Sequence, residues 1–191
     1  MILPVFAFGQ PVLREKCVPI AAPSPELTEL IKNMWATMYD SNGVGLAAPQ
    51  VGKNFRIFVA DTLQLGDDTK RKTASPGFKK AFINPEIVEE TGAAWEYEEG
   101  CLSIPHVRGN VSRLPTLRIR YQNEAFEWCE DTYDGMNARV IQHEFDHIEG
   151  ILFIDKISPI KRRMIQRRLD AIKIGNVDTD YKMKFAPQAR R

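Results

Sequence analysis

The chain has 191 residues, with 26 Lys and Arg against 25 Asp and Glu, three His and three Cys. Its 43% hydrophobic and 27% charged fractions fit one globular domain and exclude a disordered chain, a collagen-like rod and a coiled coil. A net charge of +1 excludes a polyanion binder by composition, and no apolar run approaches the ~20 residues of a membrane helix. Sparse, odd-numbered cysteines argue against a disulfide scaffold, and Met1–Val5 lacks the basic and apolar blocks of a signal peptide, so a cytoplasmic protein is expected.

The first element in chain order is a helix from Pro25 to Ser41. Ser24 caps it, Pro25 suits the first helical position, and Glu26 and Glu29 match the positive end of the helix dipole. Leu27, Leu30, Ile31, Met34, Trp35, Met38 and Tyr39 recur at three-four spacing and form one apolar stripe. A small-residue segment, Gly43–Gly52, follows. Phe55–Asp61 reads as a buried strand, and Gln64–Lys80, with Asp67-Asp68 and Ser75-Pro76-Gly77, as an exposed loop. Phe82-Ile83 and Ile87-Val88 form two short strands on either side of Asn84-Pro85. Val111–Gln122 and Ala125–Thr132 make a hairpin around Asn123-Glu124, with Leu117, Ile119 and Tyr121 alternating. Asp134 caps a second helix over Gly135–Glu149, closed by Gly150. A third begins at Ser158-Pro159, carries Ile160, Met164, Ile165, Leu169 and Ile172 on one face, and stops at Gly175. Strands and helices do not alternate regularly, so the class is α+β. The expected domain has antiparallel or mixed sheets around the second helix, with an N-terminal and a basic C-terminal helix.

His143-Glu144-Phe145-Asp146-His147 carries the sharpest chemistry. Residues four apart lie one turn apart on the same helix face, so both imidazoles can reach one metal ion. Glu144, beside the first, is placed to take a proton from an activated water. An open catalytic site of this kind needs a third protein ligand. The extended metalloprotease pattern puts a third His six residues on, where this chain has Phe153, and no Glu follows Glu149 to serve the alternative pattern. Asp170 stays open as a third ligand, although it faces away from the Ile165/Leu169 stripe and sits in a very basic helix. Upstream, Cys101 in Glu99-Gly100-Cys101-Leu102-Ser103 offers a thiolate, a soft and strong ligand. Cys17 and Cys129 sit in less distinctive surroundings, Cys129 as a small buried residue of a hairpin strand. His106 stands exposed in a Pro-led loop and could compete. Asp146 is expected to anchor the helix to an Arg, with Arg113 the first choice.

Three segments in this order resemble the peptide deformylases: Gly43-Val44-Gly45-Leu46-Ala47-Ala48-Pro49-Gln50, Glu99-Gly100-Cys101-Leu102-Ser103, and Gln142-His143-Glu144-Phe145-Asp146-His147-Ile148-Glu149-Gly150. The similarity runs from about Leu3 to Lys173 and includes Gly9-Gln10-Pro11-Val12-Leu13-Arg14 and Asn84-Pro85. Ile148 stands where Leu is usual, and the 64–80 loop is longer than in many members. The resemblance implies a metal-dependent hydrolase that removes the formyl group from the formylmethionine of nascent polypeptides, releasing formate. It implies Cys101, His143 and His147 as metal ligands, Glu144 as the acid–base group, and the Gln50 amide with the Leu102 N–H as oxyanion donors. Fe(II), one per chain, is the implied metal, with Zn, Ni or Co as substitutes; ligand affinity alone would not select iron. Val44 and Gly100 would pair strand-like with the substrate main chain, and Gly43, Gly45 and Gly100 lack side chains where that chain must come close. Val44, Ile104, Met136 and Val140 would line the methionine pocket. Arg108 matches a position near the substrate exit.

The charge is unevenly spread. From Lys156 to Arg191 there are 11 Lys and Arg against three Asp, a balance of +8, which leaves about −7 on the rest. Lys161, Arg162, Arg163, Arg167, Arg168 and Lys173 form a basic helix face suited, in the family context, to ribosomal RNA phosphates. No stacking aromatics accompany them, so no sequence-specific nucleic-acid reading is expected; with no long apolar run, no membrane partner is expected either. The resemblance divides the chain into a catalytic domain, 1–175, and a basic tail, 176–191. Two other readings use the same helix. A metal endopeptidase is disfavoured by Phe153 and the missing late Glu. A catalytically silent metal- or ribosome-binding protein is disfavoured by Glu144 and Gln50.

Overall fold

The structure is a computed structural model that describes residues 1–66 and 75–187. In chain order its main elements are β1 (Val5–Phe6), α1 (Pro25–Asp40), β2 (Gly45–Ala47), β3 (Ile57–Asp61), β4 (Lys79–Thr91), β5 (Trp95–Cys101), β6 (Ile104–Arg113), β7 (Thr116–Gln122), β8 (Trp128–Asp134), α2 (Gly135–Ile148), α3 (Pro159–Lys173) and β9 (Met183–Lys184). Strands β2, β3, β4, β7 and β8 form one antiparallel sheet in that order, β5 and β6 a separate ribbon, and β9 pairs in parallel with β1. The class is α+β, as the irregular order of strands and helices implied. Among the described residues no helix is long and apolar enough to cross a membrane.

The large sheet is covered on both faces, which is why β3 is buried at every position. Its alternate residues divide between two cores. Ile57 and Val59 pack with Leu30, Met34 and Met38 of α1, while Phe58 and Ala60 pack with Phe82, Leu117 and, from α2, Ala138 and Ile141. A third core joins Val107 and Val111 of β6 to Leu152–Ile154 and to Ile165, Leu169 and Ile172 of α3. Helix α1 follows its local signals: Ser24 Oγ accepts from the Leu27 N–H at 3.2 Å, and Pro25 opens the first turn. Trp35 and Tyr39 sit at the edge of its stripe, with the Lys79 ammonium 4.9 and 5.1 Å from their ring centroids. Gly150, at φ +75, closes α2; a Cβ there would stand 2.7 Å from the Arg14 carbonyl oxygen, so no other residue fits.

Several expectations are corrected by the structure. Asn84-Pro85 does not separate two short strands; β4 runs through them as 13 residues. Asn84 adopts φ +49, and its side chain replaces the rungs lost at the register shift between Ile83 and Glu86. Its Oδ1 accepts from the Ile20 N–H, and its Nδ2 donates to the Ile20 carbonyl and to Gln122 Oε1, each at 2.8 Å. The hairpin around Asn123 is β7–β8 and begins at Thr116, because Pro115 has no N–H to give a ladder. Val111–Arg113 end a different strand, β6, whose partner β5 was not anticipated. Asp134 precedes α2 without capping it, and its Oδ1 accepts from the Ser75 N–H at 3.2 Å instead. On α3, Ile160 and Met164 are 74% and 73% exposed. They are four apart and form their own stripe, rotated by about 100° from that of Ile165, Leu169 and Ile172.

Beyond the expected boundary at 175, the chain packs on the body: the Val5 and Ala7 N–H groups donate to the Lys182 and Lys184 carbonyls at 2.8 and 2.9 Å. Of the expected 64–80 loop, residues 67–74, with Asp67 and Asp68, lie outside the described residues. So do residues 188–191 of the tail, with Arg190 and Arg191.

The two faces of α3 give a stability test. Leu169→Ala empties a fully buried position and should cost about 2–5 kcal/mol in chemical denaturation. Ile160→Ala, on the exposed stripe, should stay within about 0.5 kcal/mol of the parent.

Candidate metal centre

His143 and His147 are four residues apart on α2, and their ring centroids lie 5.1 Å apart on one face. Cys101 is the last residue of β5, and its Sγ lies 3.3 Å from His147 Nε2. One ligand atom from each of the three lies within 4.8 Å of the others, the single such group among the described residues. A kink in the ribbon aims the thiol. The β5–β6 register steps from Gly100 opposite Arg108 to Cys101 opposite Ile104, so Pro105–Val107 bulge out and His106 takes φ +60.

Behind these groups lies a buried charge network. The Glu99 carboxylate accepts from Arg113 Nε and Nη2 at 2.6 and 2.9 Å, from Arg139 Nη1 at 2.7 Å and from His143 Nδ1 at 2.9 Å. With Nδ1 engaged, His143 keeps Nε2 for a ligand. Burial alone would raise the Glu99 carboxyl, but Arg113 and His143 outweigh it and hold the group well below the usual carboxylate range. Arg113 also donates from Nη1 to Asp146 Oδ2 at 2.8 Å, the pair expected from the sequence. Arg139 donates to the Val111 and Trp95 carbonyls and lies 4.2 Å from the Trp95 ring centroid.

Glu144 stands apart from this network. It is buried, and its Oε2 has no hydrogen-bond partner. Burial pushes its carboxyl up to about 7. Burial, together with the nearby His143 and Arg113, holds His147 well below its ordinary value and so in the neutral, ligating form. Two imidazoles and a thiol suit one divalent metal ion of borderline softness, and the unpartnered carboxylate oxygen beside them fits an open site rather than a closed one.

A cavity of about 510 Å³ brings together every residue anticipated for the site except His147, which lies behind its wall. Val44, Gly45, Gln50, Gly100, Cys101, Leu102, Ile104, Arg108, Met136, Val140, His143 and Glu144 all line it. Gln50 is held by its own turn: Oε1 accepts from the Ala47 N–H at 2.8 Å, and Nε2 donates to Ser103 Oγ at 3.3 Å and Cys101 Sγ at 3.5 Å. The glycines answer to different neighbours. A Cβ on Gly45 would stand 2.5 Å from Glu144 Oε1, so this glycine makes room for the carboxylate. At Gly100 the nearest atom would be 3.6 Å away, leaving that side open to the cavity.

The competing candidates are elsewhere. His106 is exposed and its Nε2 donates to the Asp178 carbonyl at 2.7 Å. Asp170 accepts from Gln166 Nε2 at 2.8 Å on the outer side of α3. Phe153 stacks on His143, with centroids 6.3 Å apart, and so packs a candidate ligand ring where an extended pattern would supply a ligand. Cys17 is buried, which pushes its thiol up to about 12, and Cys129 is half-buried rather than buried. Sequence reasoning overlooked Glu99 and Arg139, although Glu99 lies two residues before Cys101 on a strand and Arg139 four before His143 on a helix. Thr179, Asp180 and Tyr181 also line the cavity, and nothing in their sequence signalled it.

Comparison with known proteins points to one family. The family model described as polypeptide deformylase matches residues 2–163. The peptide deformylase of Christiangramia forsetii is 50% identical, with 100% of this chain and 99% of that protein covered. That of Flavobacterium johnsoniae is 51% identical, with 97% of each covered. The crystal structure of a peptide deformylase from Legionella pneumophila is 37% identical with a TM-score of 0.79, over 91% of this chain and 96% of that one. That from Thermotoga maritima is 41% identical with a TM-score of 0.73, over 83% of this chain and 99% of that one. The chain belongs to the peptide deformylase family.

Proposed function

We propose that the chain removes the formyl group from the N-terminal formylmethionine of nascent polypeptides, releasing formate, with Cys101, His143 and His147 holding one Fe(II) ion. The observation that carries the mechanism is Glu144: an unpartnered carboxylate, buried beside three converging ligand atoms and open to a cavity. A closed structural metal site has no use for such a group. When bound, the metal ion would polarise the formyl carbonyl and ease the loss of a proton from the water that attacks it. Glu144 takes the proton from the attacking water and passes it to the leaving amine. Its raised affinity for protons suits both halves of that shuttle.

Gln50 Nε2, locked by the Ala47 contact at the other end of the amide, joins the Leu102 N–H in donating to the oxyanion that develops on the formyl oxygen. Val44 and Gly100 pair with the substrate main chain, and support for Gly100 is the open space at its Cβ position. Val44, Ile104, Met136 and Val140 hold the methionine side chain, and Arg108 stands exposed toward the exit. Fe(II) is the metal the family implies, and the same two imidazoles and thiolate would accept Zn, Ni or Co. The exposed residues of α3, Lys161, Arg163, Arg167, Arg168 and Lys173, support a further reading as a contact for ribosomal RNA near the emerging peptide.

Formate release from a short formyl-methionyl peptide tests the core of this reading, with Fe(II)-loaded protein under argon. Glu144→Ala should lower kcat by about 10²–10⁴-fold and Gln50→Ala by about 10²–10³-fold. In air, parent activity should decay as the iron or Cys101 oxidises, and loaded parent protein that released no formate would sink the proposal. Glu99→Gln should weaken metal retention by about 10–100-fold in a chelator titration, because His143 loses its charged acceptor and Arg113 and Arg139 lose their counter-ion. Ribosome cosedimentation should fall steeply with salt; binding indifferent both to salt and to loss of the basic helix would remove the ribosomal reading.

A further inference from the structure

The segment after α3 lines one side of the cavity and is fastened at both ends. At its start His106 Nε2 donates to the Asp178 carbonyl at 2.7 Å. At its end the Lys182 and Lys184 carbonyls accept from Val5 and Ala7, and Gln10 Nε2 donates to the Phe185 carbonyl at 2.7 Å. Between these anchors Thr179, Asp180 and Tyr181 line the same cavity as Gln50, Cys101 and Glu144. The Tyr181 hydroxyl donates to the Leu102 carbonyl oxygen at 2.7 Å.

Leu102 follows Cys101 and begins the tight turn of the β5–β6 ribbon. The next residue is held by other parts of the chain: the Phe8 N–H donates to the Ser103 carbonyl at 2.8 Å, and Gln50 Nε2 donates to Ser103 Oγ at 3.3 Å. Three segments distant in sequence therefore grip a two-residue turn, and the grip on Leu102 is the one this strap contributes. The Leu102 carbonyl shares a peptide plane with the Ser103 N–H, and the Leu102 N–H lies in the neighbouring plane with the Cys101 carbonyl; the two planes meet at the Leu102 Cα, so holding the first limits how far the second can turn. An N–H that must meet a developing oxyanion is effective only when it is aimed before the reaction.

We propose that Asp178–Phe185 form a working wall of the substrate cleft, in which Tyr181 is a positioning residue that anchors the Leu102 carbonyl and, through the Leu102 Cα, limits the rotation of the adjoining Leu102 N–H. This rests on the deformylase reading and extends it to a segment that the family match, residues 2–163, does not reach. The strap adds to machinery carried by the matched residues, so its loss should reduce turnover by a moderate factor rather than abolish it.

The test uses full-length, Fe(II)-loaded protein, with formyl-methionine amide and a formyl-methionyl tetrapeptide as substrates. Tyr181→Phe removes one hydroxyl and keeps the ring. It should lower kcat about fivefold on both substrates, the size expected for one neutral hydrogen bond, with KM within twofold and Tm unchanged. Tyr181→Ala also opens the wall and should raise KM for the tetrapeptide more than for the amide. Hydrogen exchange gives a readout independent of turnover: amides of the 101–104 turn should exchange faster in Tyr181→Phe while those of α2 do not change. Parent kinetics and parent exchange in Tyr181→Phe would overturn the proposal, as would a kcat loss matched by a fall in Tm. If the parent protein itself released no formate, the deformylase reading would fall, and exchange at the turn would still decide whether Tyr181 fixes Leu102.

Discussion

The Glu99 carboxylate is the charge around which the site is assembled. Moving an ion out of water costs several kcal/mol, and a buried pair recovers that only with good geometry and filled hydrogen-bonding capacity. Glu99, Arg113 and Arg139 have side chains 5%, 4% and 2% exposed, so this condition is severe. It is met because two guanidiniums and one imidazole converge on two oxygens, and Asp146 takes the remaining arm of Arg113. The two guanidiniums balance the two carboxylates in charge, and Lys156 adds a contact to Asp146 at 2.7 Å from its more exposed edge. A well-packed apolar cluster can match such a network in stability. It could not orient the His143 ring or fix the spacing between the strand that carries Cys101 and the helix that carries both imidazoles.

Two close approaches complete the geometry. Strand β2 lies against α2 at Gly45, where even one methyl group would collide with Glu144, so the proposed base occupies space that the glycine leaves. Gln50 uses its acceptor on its own turn, which leaves only the donating end of the amide facing Cys101 and Ser103. Both devices are built from the chain's own packing and hydrogen bonds. They fix which chemical face each side chain presents, as preorganised catalysis requires.

How legible this was in the sequence depended on the kind of signal each residue leaves. Helix α1 was readable from Ser24, Pro25 and a 3.6-residue stripe, and the His143/His147 pair from its spacing of four. Ile160 and Met164 misled because an apolar residue in a helix does not say which stripe will be buried. The β5–β6 ribbon was missed because Trp95–Glu99 is acidic and mostly exposed, so it lacks the apolar alternation that marks a strand. Glu99 itself could have been found: once Cys101 is a candidate ligand on a strand, period two puts Glu99 on the same face. Nothing comparable marks Thr179–Tyr181. That segment is polar, pairs over only two residues of β9, and is otherwise held by side-chain-to-backbone bonds that carry no period.

The same distinction separates what is local in this site from what is assembled. His143 and His147 are brought together by one helix, whereas Cys101 reaches His147 across 46 residues of chain. The three ligand atoms therefore converge only once the β5–β6 ribbon is seated against α2. Glu99 crosses that contact two residues before Cys101, and Arg139 and His143 receive it one helical turn apart. The charge network thus seats the ribbon through the two elements that carry the proposed ligands, and so places the thiol. Arg113, on the partner strand, extends the same seating to Asp146, one residue before His147. The spacing of the proposed ligands is thereby a consequence of satisfying buried charge, and a substitution among the charged residues should be expected to change the candidate metal site even when Cys101, His143 and His147 are untouched.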